Sequence, residues 1–271
     1  LTWGALVFYL LVNIFFNIDV LLLRGLGMTE AAVGYYKASA NIGSLLYFLF
    51  ISVSQASYPM SARLFTRQAH DELSSVVNRL FISIYYTTAL AFLFTILFAD
   101  VIISVLFGKA YLPATGVTPW YALSIGMLSV IIMLGNMMIV FEHKKTYLYY
   151  LLGSLALYLG LVVVLISRLE ILAPPVALIT VSVLINILFI AIINRHYKRI
   201  FDVKTLLLII GWLILMTAAA LVIQHLLAGL IDPHLSGMLV FLAFSLVSLF
   251  TIRQVRDAVI NSVLVLLGKK K

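Results

Sequence analysis

Residues 147–167, YLYYLLGSLALYLGLVVVLIS, carry no charged side chain over a length that crosses a hydrocarbon core as an α-helix. After Arg168 and the breakers Pro174-Pro175 a second such run follows at 175–194, PVALITVSVLINILFIAIIN. Neither run alternates apolar and polar residues as a membrane barrel strand must. Each reads as a transmembrane helix. The same reading places spans near 3–24, 34–60, 77–99, 119–141, 147–167, 175–194, 205–228 and 235–252. Between them lie Gly25-Leu26-Gly27, the stretch 63–75, the loop 108–119, Glu142-His143-Lys144-Lys145, Pro174-Pro175, the stretch 195–204 and Asp232-Pro233. Residues 253–271 mix bases with apolar residues and end in Lys269-Lys270-Lys271, which suits an interfacial helix or a frayed tail on the cytoplasmic side.

The composition agrees. Hydrophobic residues make up 64% of the 271 residues, charged residues 10%, and the mean hydropathy is +1.16. A soluble domain carries about 25% charged residues, so a water-facing surface cannot be built from this chain. The expected fold is all-α, a polytopic transmembrane bundle of about eight spans. The net charge of +8 does not point to nucleic acid, because the bases lie between spans and not on a folded face. Cysteine is absent, which excludes a disulfide framework, a Cys-based zinc site and a thiol nucleophile. No Gly-rich phosphate loop, His-Glu metal helix or serine-nucleophile elbow occurs, and no loop is long enough for an ATPase. An enzyme, a bound cofactor and a metal centre are therefore not expected. The opening residues Leu1-Thr2-Trp3-Gly4 are not a signal peptide and lack an initiator Met, so the chain reads as a segment of a longer protein.

The bases set the orientation. With residue 1 in the cytoplasm, that side holds Arg63, Arg67, Arg79, Lys144, Lys145, Arg195, Lys198, Arg199, Lys204, Arg253, Arg256 and the three terminal lysines, fourteen in all. The opposite side holds four: Arg24, Lys37, Lys109 and Arg168. The positive-inside rule then places both ends in the cytoplasm.

Ionisable and amide side chains inside the spans are few, and at bilayer depth such groups face a bundle interior, a partner or water. Asp19 is the only acid well inside a span. Arg24 closes the first helix and Lys37 opens the second, so an Asp19 ion pair with either is expected to hold that hairpin. On the second helix, Lys37, Asn41, Ser44 and Gln55 fall within about 60° at 100° per residue, with Ser52 beside them. On the first helix Asn13, Asn17 and Arg24 share a face, while Asp19 points elsewhere. Two polar stripes on adjacent helices suit a hydrated cavity; interhelical hydrogen bonding is the competing account, and explains Asn136 and Asn186. Most tyrosines read as interfacial belt or packing residues, but Tyr35 and Tyr36, beside Lys37, are carried as cavity candidates.

Asp19-Val20-Leu21-Leu22-Leu23 followed by Val33-Gly34-Tyr35-Tyr36-Lys37-Ala38-Ser39-Ala40 resembles the polysaccharide-export flippases of the multidrug/oligosaccharidyl-lipid/polysaccharide superfamily. Pro59, closing the second helix, and the outer loop Leu106-Phe107-Gly108-Lys109-Ala110-Tyr111-Leu112-Pro113-Ala114 extend the resemblance. Ala173-Pro174-Pro175-Val176-Ala177 departs from the Gly-Ala-Ala that relatives often carry there. The resemblance implies a MATE-like architecture in which two six-helix lobes flank a central cavity. This chain would then supply the second lobe at 1–194, two accessory helices at 195–252 and a basic tail at 253–271, with an N-terminal lobe upstream.

The function so implied is flipping of a lipid-linked oligosaccharide, a polysaccharide, O-antigen or capsule precursor, across a bacterial or archaeal plasma (inner) membrane by alternating access. The partners would be the polyprenyl-linked glycan, membrane lipid and the missing lobe. Lys37 and Arg24 would attract the anionic headgroup, and Asn17, Asn41 and Gln55 would hydrogen-bond it or the sugars. Tyr35 and Tyr36 would line the cavity, and Asp19 would orient a base or bind a coupling cation. The alternatives are a cation-coupled multidrug exporter of the same superfamily and a non-transporting membrane scaffold.

Overall fold

The computed structural model describes residues 3–140, 144–196, 201, 203–227 and 232–251. Among them every regular element is helical. The elements are α1 (Trp3–Gly25), α2 (Glu30–Thr66), α3 (His70–Leu106), α4 (Thr118–Val140), α5 (Lys144–Leu169), α6 (Ala173–His196), α7 (Val203–Leu227) and α8 (Pro233–Thr251), with 3-10 turns at Lys109–Gly116 and Glu170–Leu172. The chain is an all-α polytopic bundle, and each span read from hydropathy corresponds to one helix. The expected tail at 253–271 and Glu142-His143 lie outside the described residues.

Five apolar stretches are long enough to cross a membrane: Glu30–Thr66, His70–Leu106, Thr118–Val140, Leu148–Arg195 and Ile210–Leu227. The fourth is 48 residues long. As one straight helix it would reach about 72 Å at 1.5 Å per residue, more than twice the roughly 30 Å hydrocarbon core. It folds in two at Glu170, whose left-handed backbone (φ 48°) ends α5. The break therefore comes earlier than Pro174-Pro175, which sit in the first turn of α6. A first-turn N–H has no acceptor within its own helix, so proline removes nothing there.

The core is built around α4, whose residues are buried on nearly every side. The helices α2, α3 and α6 pack directly on it, while α5 joins α6 and α1. With no water to exclude between apolar helices in a bilayer, close backbone approach and interhelical hydrogen bonds hold such a core. Both are present. Gly126 of α4 meets the side chain of Thr88 on α3, and Gly43 of α2 meets the ring of Tyr121 on α4, so closely that a Cβ at either glycine would collide. Asn136 Nδ2 donates to Ser54 Oγ at 2.9 Å between α4 and α2, and Asn186 Nδ2 donates to the Met127 carbonyl at 3.3 Å between α6 and α4. These two asparagines are interhelical ties, as read from the sequence.

The last two helices pack on each other and on α3. The rings of Phe94, Phe98 and Phe241 form a cluster with centroids 5.2 and 5.4 Å apart, and Tyr86 Oη donates to the Ser245 carbonyl at 3.4 Å. Phe201, between α6 and α7 in the chain, is held as well. Asn194 donates to the Phe201 carbonyl at 2.9 Å and accepts from its N–H at 2.8 Å, and Phe201 is buried against Phe81, 5.5 Å between centroids.

Candidate functional site

The α1–α2 hairpin carries the sequence-derived candidates, and its turn is specified locally. Gly27 takes the left-handed conformation (φ 86°), Met28 N–H bonds to the Leu23 carbonyl at 3.0 Å and Gly27 N–H to that of Arg24 at 3.2 Å. This is the Schellman closure of a helix, which favours glycine at that position. Thr29 then caps α2, its hydroxyl accepting from Ala32 N–H at 3.2 Å. Glu30, in the first turn, pairs with Arg24 at 3.1 Å. The two side chains are 72% and 89% exposed, so the pair contributes under about 1 kcal/mol.

That pair removes Arg24 as a partner for Asp19, and the expected ion pair does not form. Asp19 is buried, on the opposite side of α1 from Arg24. Its carboxylate accepts the hydroxyl of Tyr36, which is also fully buried, and Val20 N–H at 2.8 Å. Lys37 is one residue, and so about 100°, further round α2, which carries its side chain to the exposed face. Tyr36 stacks edge-on against Tyr121 of α4 at 5.5 Å, and Tyr158 of α5 stands against Phe15 at 5.7 Å. Tyr121 and Tyr158 are themselves buried. A carboxyl group and three tyrosines from four helices thus form one buried polar knot. Tyr121 and Tyr158 were not legible as its members, because nothing local distinguishes them from other apolar-face tyrosines. A signal did exist in Gly43, the small residue that admits the Tyr121 ring.

The remaining candidates separate by face. On α2, Lys37, Asn41 and Gln55 are exposed; on α1, Asn17 and Arg24 are exposed. Asn17 Nδ2 donates to the Asn13 carbonyl at 3.0 Å. Tyr35 joins neither group: half-buried, it packs edge-on against Tyr111 at 5.8 Å. Next to it, Ser39 Oγ contacts the Ala114 carbonyl and Thr118 Oγ1, both at 3.0 Å, and fastens α2 to the turn that leads into α4.

The α2 stripe is less continuous than the helical wheel implies. Ser44 Oγ donates to the Asn41 carbonyl and Ser52 Oγ to that of Phe48, both at 2.7 Å. Their protons are engaged within their own helix. Between Asn41 and Gln55 the exposed surface is therefore dominated by Leu45, Phe48 and Leu49. Such a face can hydrogen-bond a polar ligand at two levels and attract an anion at one. No group of three acids or histidines able to hold a metal occurs among the described residues.

The natural absence of cysteine makes the faces easy to test. Lys37→Cys and Gln55→Cys are expected to react with a water-soluble maleimide at least about tenfold faster than Ala38→Cys, which is buried with Ile103 and Ala114. Equal, slow labelling at all three would show that the face is packed or lipid-covered in the assembled protein.

No curated protein and no solved structure matches this chain. The model of the family described as polysaccharide biosynthesis protein matches residues 1–116, the stretch that holds α1, α2, α3 and the first 3-10 turn. The match supports a role in polysaccharide biosynthesis, and the long apolar helices support a multi-pass membrane protein.

Proposed function

We propose that this chain is one lobe of an exporter that flips a lipid-linked oligosaccharide from the cytoplasmic to the outer leaflet by alternating access. The observation that carries the reading is the exposed line Lys37, Asn41 and Gln55 on α2, within the stretch matched by the polysaccharide-biosynthesis family. A pyrophosphate-sugar headgroup cannot cross hydrocarbon without polar partners, whereas its polyprenyl tail can stay in lipid. Lys37 supplies the cation for the phosphates, and Asn41 and Gln55 supply amides for phosphate or sugar hydroxyls. Asn17 and Arg24 extend the polar surface on α1. Helices α1–α6 make the lobe, α7 and α8 are accessory helices seated on α3, and a second lobe forms the opposite wall. Both ends lie in the cytoplasm of a cell whose plasma membrane carries the protein, a reading supported by the fourteen-to-four distribution of bases. The driving force is an ion gradient or a partner.

Asp19 weighs against the cation-coupled drug exporter. That reading requires acids lining the transport face, and the Asp19 carboxylate lies under α2, turned toward Tyr36. The test is flipping of a fluorescent lipid-linked glycan by the full-length protein in liposomes. A Lys37→Ala, Asn41→Ala variant is expected to lose about tenfold or more of the rate, from the loss of one charged and one neutral hydrogen-bonding group. Full activity in that variant overturns the site, and no flipping by the unaltered protein overturns the function.

A further inference from the structure

Asn41, Phe48 and Gln55 recur every seven residues on α2. Seven residues return a helix to within about 20° of the same direction, so the three stand almost in line, with Lys37 at the head of the line. Phe48 is 63% exposed. It is not part of the apolar flank made by Leu45 and Leu49, which lies about 60–100° further round. An exposed phenyl ring thus occupies the centre of a polar line, about 10 Å from the amide on either side at 1.5 Å per residue. Its backbone carbonyl takes the proton of the Ser52 hydroxyl at 2.7 Å. Tyr47 braces it edge-on at 5.7 Å.

We propose that Phe48 is a sugar-binding subsite, a platform on which a pyranose ring of the carried glycan stacks while Asn41 and Gln55 hydrogen-bond hydroxyls of the sugar units on either side of it. This deepens the function proposed above and rests on it. A pyranose is polar at its rim and apolar on its C–H face. It is recognised by an aromatic face flanked by amides, whereas a lipid chain makes no use of the amides and a bare phosphate none of the ring. The amide–phenyl–amide line supplies that alternation along the direction of travel. Phe48 would then set selectivity for glycan-bearing lipid over the naked lipid pyrophosphate.

The experiment compares two substrates in liposomes holding the full-length protein: a polyprenyl pyrophosphate bearing an oligosaccharide, and the same lipid without sugar. Phe48→Ala is expected to slow the glycan-bearing substrate about tenfold and to leave the sugar-free lipid within about twofold, while Phe48→Tyr keeps both rates. Because transport variants can fail by misfolding, Phe48→Trp provides a second readout. Its added fluorescence is expected to shift on titration with the glycan-bearing lipid and not with the sugar-free one, against the background of Trp3, Trp120 and Trp212. Equal losses on both substrates, unchanged rates, or a shift of the same size with both lipids would overturn the subsite. Faster flipping in Phe48→Ala would also overturn it, marking the ring as a barrier. If the unaltered protein moves neither lipid, the transport reading itself fails.

Discussion

A Gly126→Leu variant is expected to lose most of its folded material, and Gly126→Ala to melt clearly below the unaltered protein in detergent. The reason lies across the α3–α4 contact. A Cβ at Gly126 would overlap the side chain of Thr88, both its methyl and its hydroxyl. Thr88 cannot step aside cheaply. It is β-branched, with few rotamers open to it in a helix, and its hydroxyl already donates to the Ile84 carbonyl at 2.7 Å. Relief must come from separating two helices that bury one another, and inserting even one methyl into such a contact costs typically 1–3 kcal/mol. A Leu side chain adds more volume where α4 is enclosed on all sides. The measurement is thermal unfolding followed by size-exclusion of the detergent-solubilised protein. Adding Thr88→Ala to Gly126→Ala is expected to recover most of the loss, by giving back the space. A Gly126→Ala protein as stable as the parent would show that the helices do not approach as closely as described.

The second large effect is expected at the Asp19–Tyr36 contact. Tyr36→Phe leaves a buried carboxyl group without its side-chain donor, and Asp19→Leu leaves a buried phenol without its acceptor. Each exposes the remaining group to the full cost of an unmet hydrogen bond, about 1–3 kcal/mol and more for a charged one. The double variant Asp19→Leu, Tyr36→Phe removes both halves, so its loss is expected to be smaller than the two single losses added together, with a coupling of roughly 0.5–3 kcal/mol. Asp19→Asn, which keeps an acceptor oxygen, is expected to fall between the parent and Asp19→Leu. Thermal unfolding of the parent and the four variants decides it. Strictly additive losses would mean that the two groups do not depend on one another, and that the knot joining α1, α2, α4 and α5 is held by packing of the rings alone.

How far the sequence carried the reading differs between backbone and side chains. The helices were legible because hydrocarbon imposes a length and forbids unpaired backbone groups, and both requirements leave a one-dimensional trace. The break before α6 comes at Glu170, a few residues ahead of Pro174-Pro175, since proline marks either a break or a first turn and local sequence does not say which. The exposed line on α2 was legible from angular spacing. Its apolar centre was not, because a wheel counts Ser44 and Ser52 as polar while their hydroxyl protons are engaged by their own helix.

Sequence alone therefore determined an all-helical membrane bundle, its order of spans and the face on which Lys37, Asn41 and Gln55 align. These follow from the solvent and from helical geometry, which act on each segment by itself. Only the tertiary structure decided what meets what: Glu30 and not Asp19 as the partner of Arg24, Tyr36 as the donor to Asp19, Tyr121 and Tyr158 around it, and α4 as the enclosed centre. Those pairings depend on which helices are neighbours and how they are rotated. That is fixed by close contacts such as Gly43 on Tyr121 and Gly126 on Thr88, between residues far apart in the chain, and no periodicity within one helix records its partner.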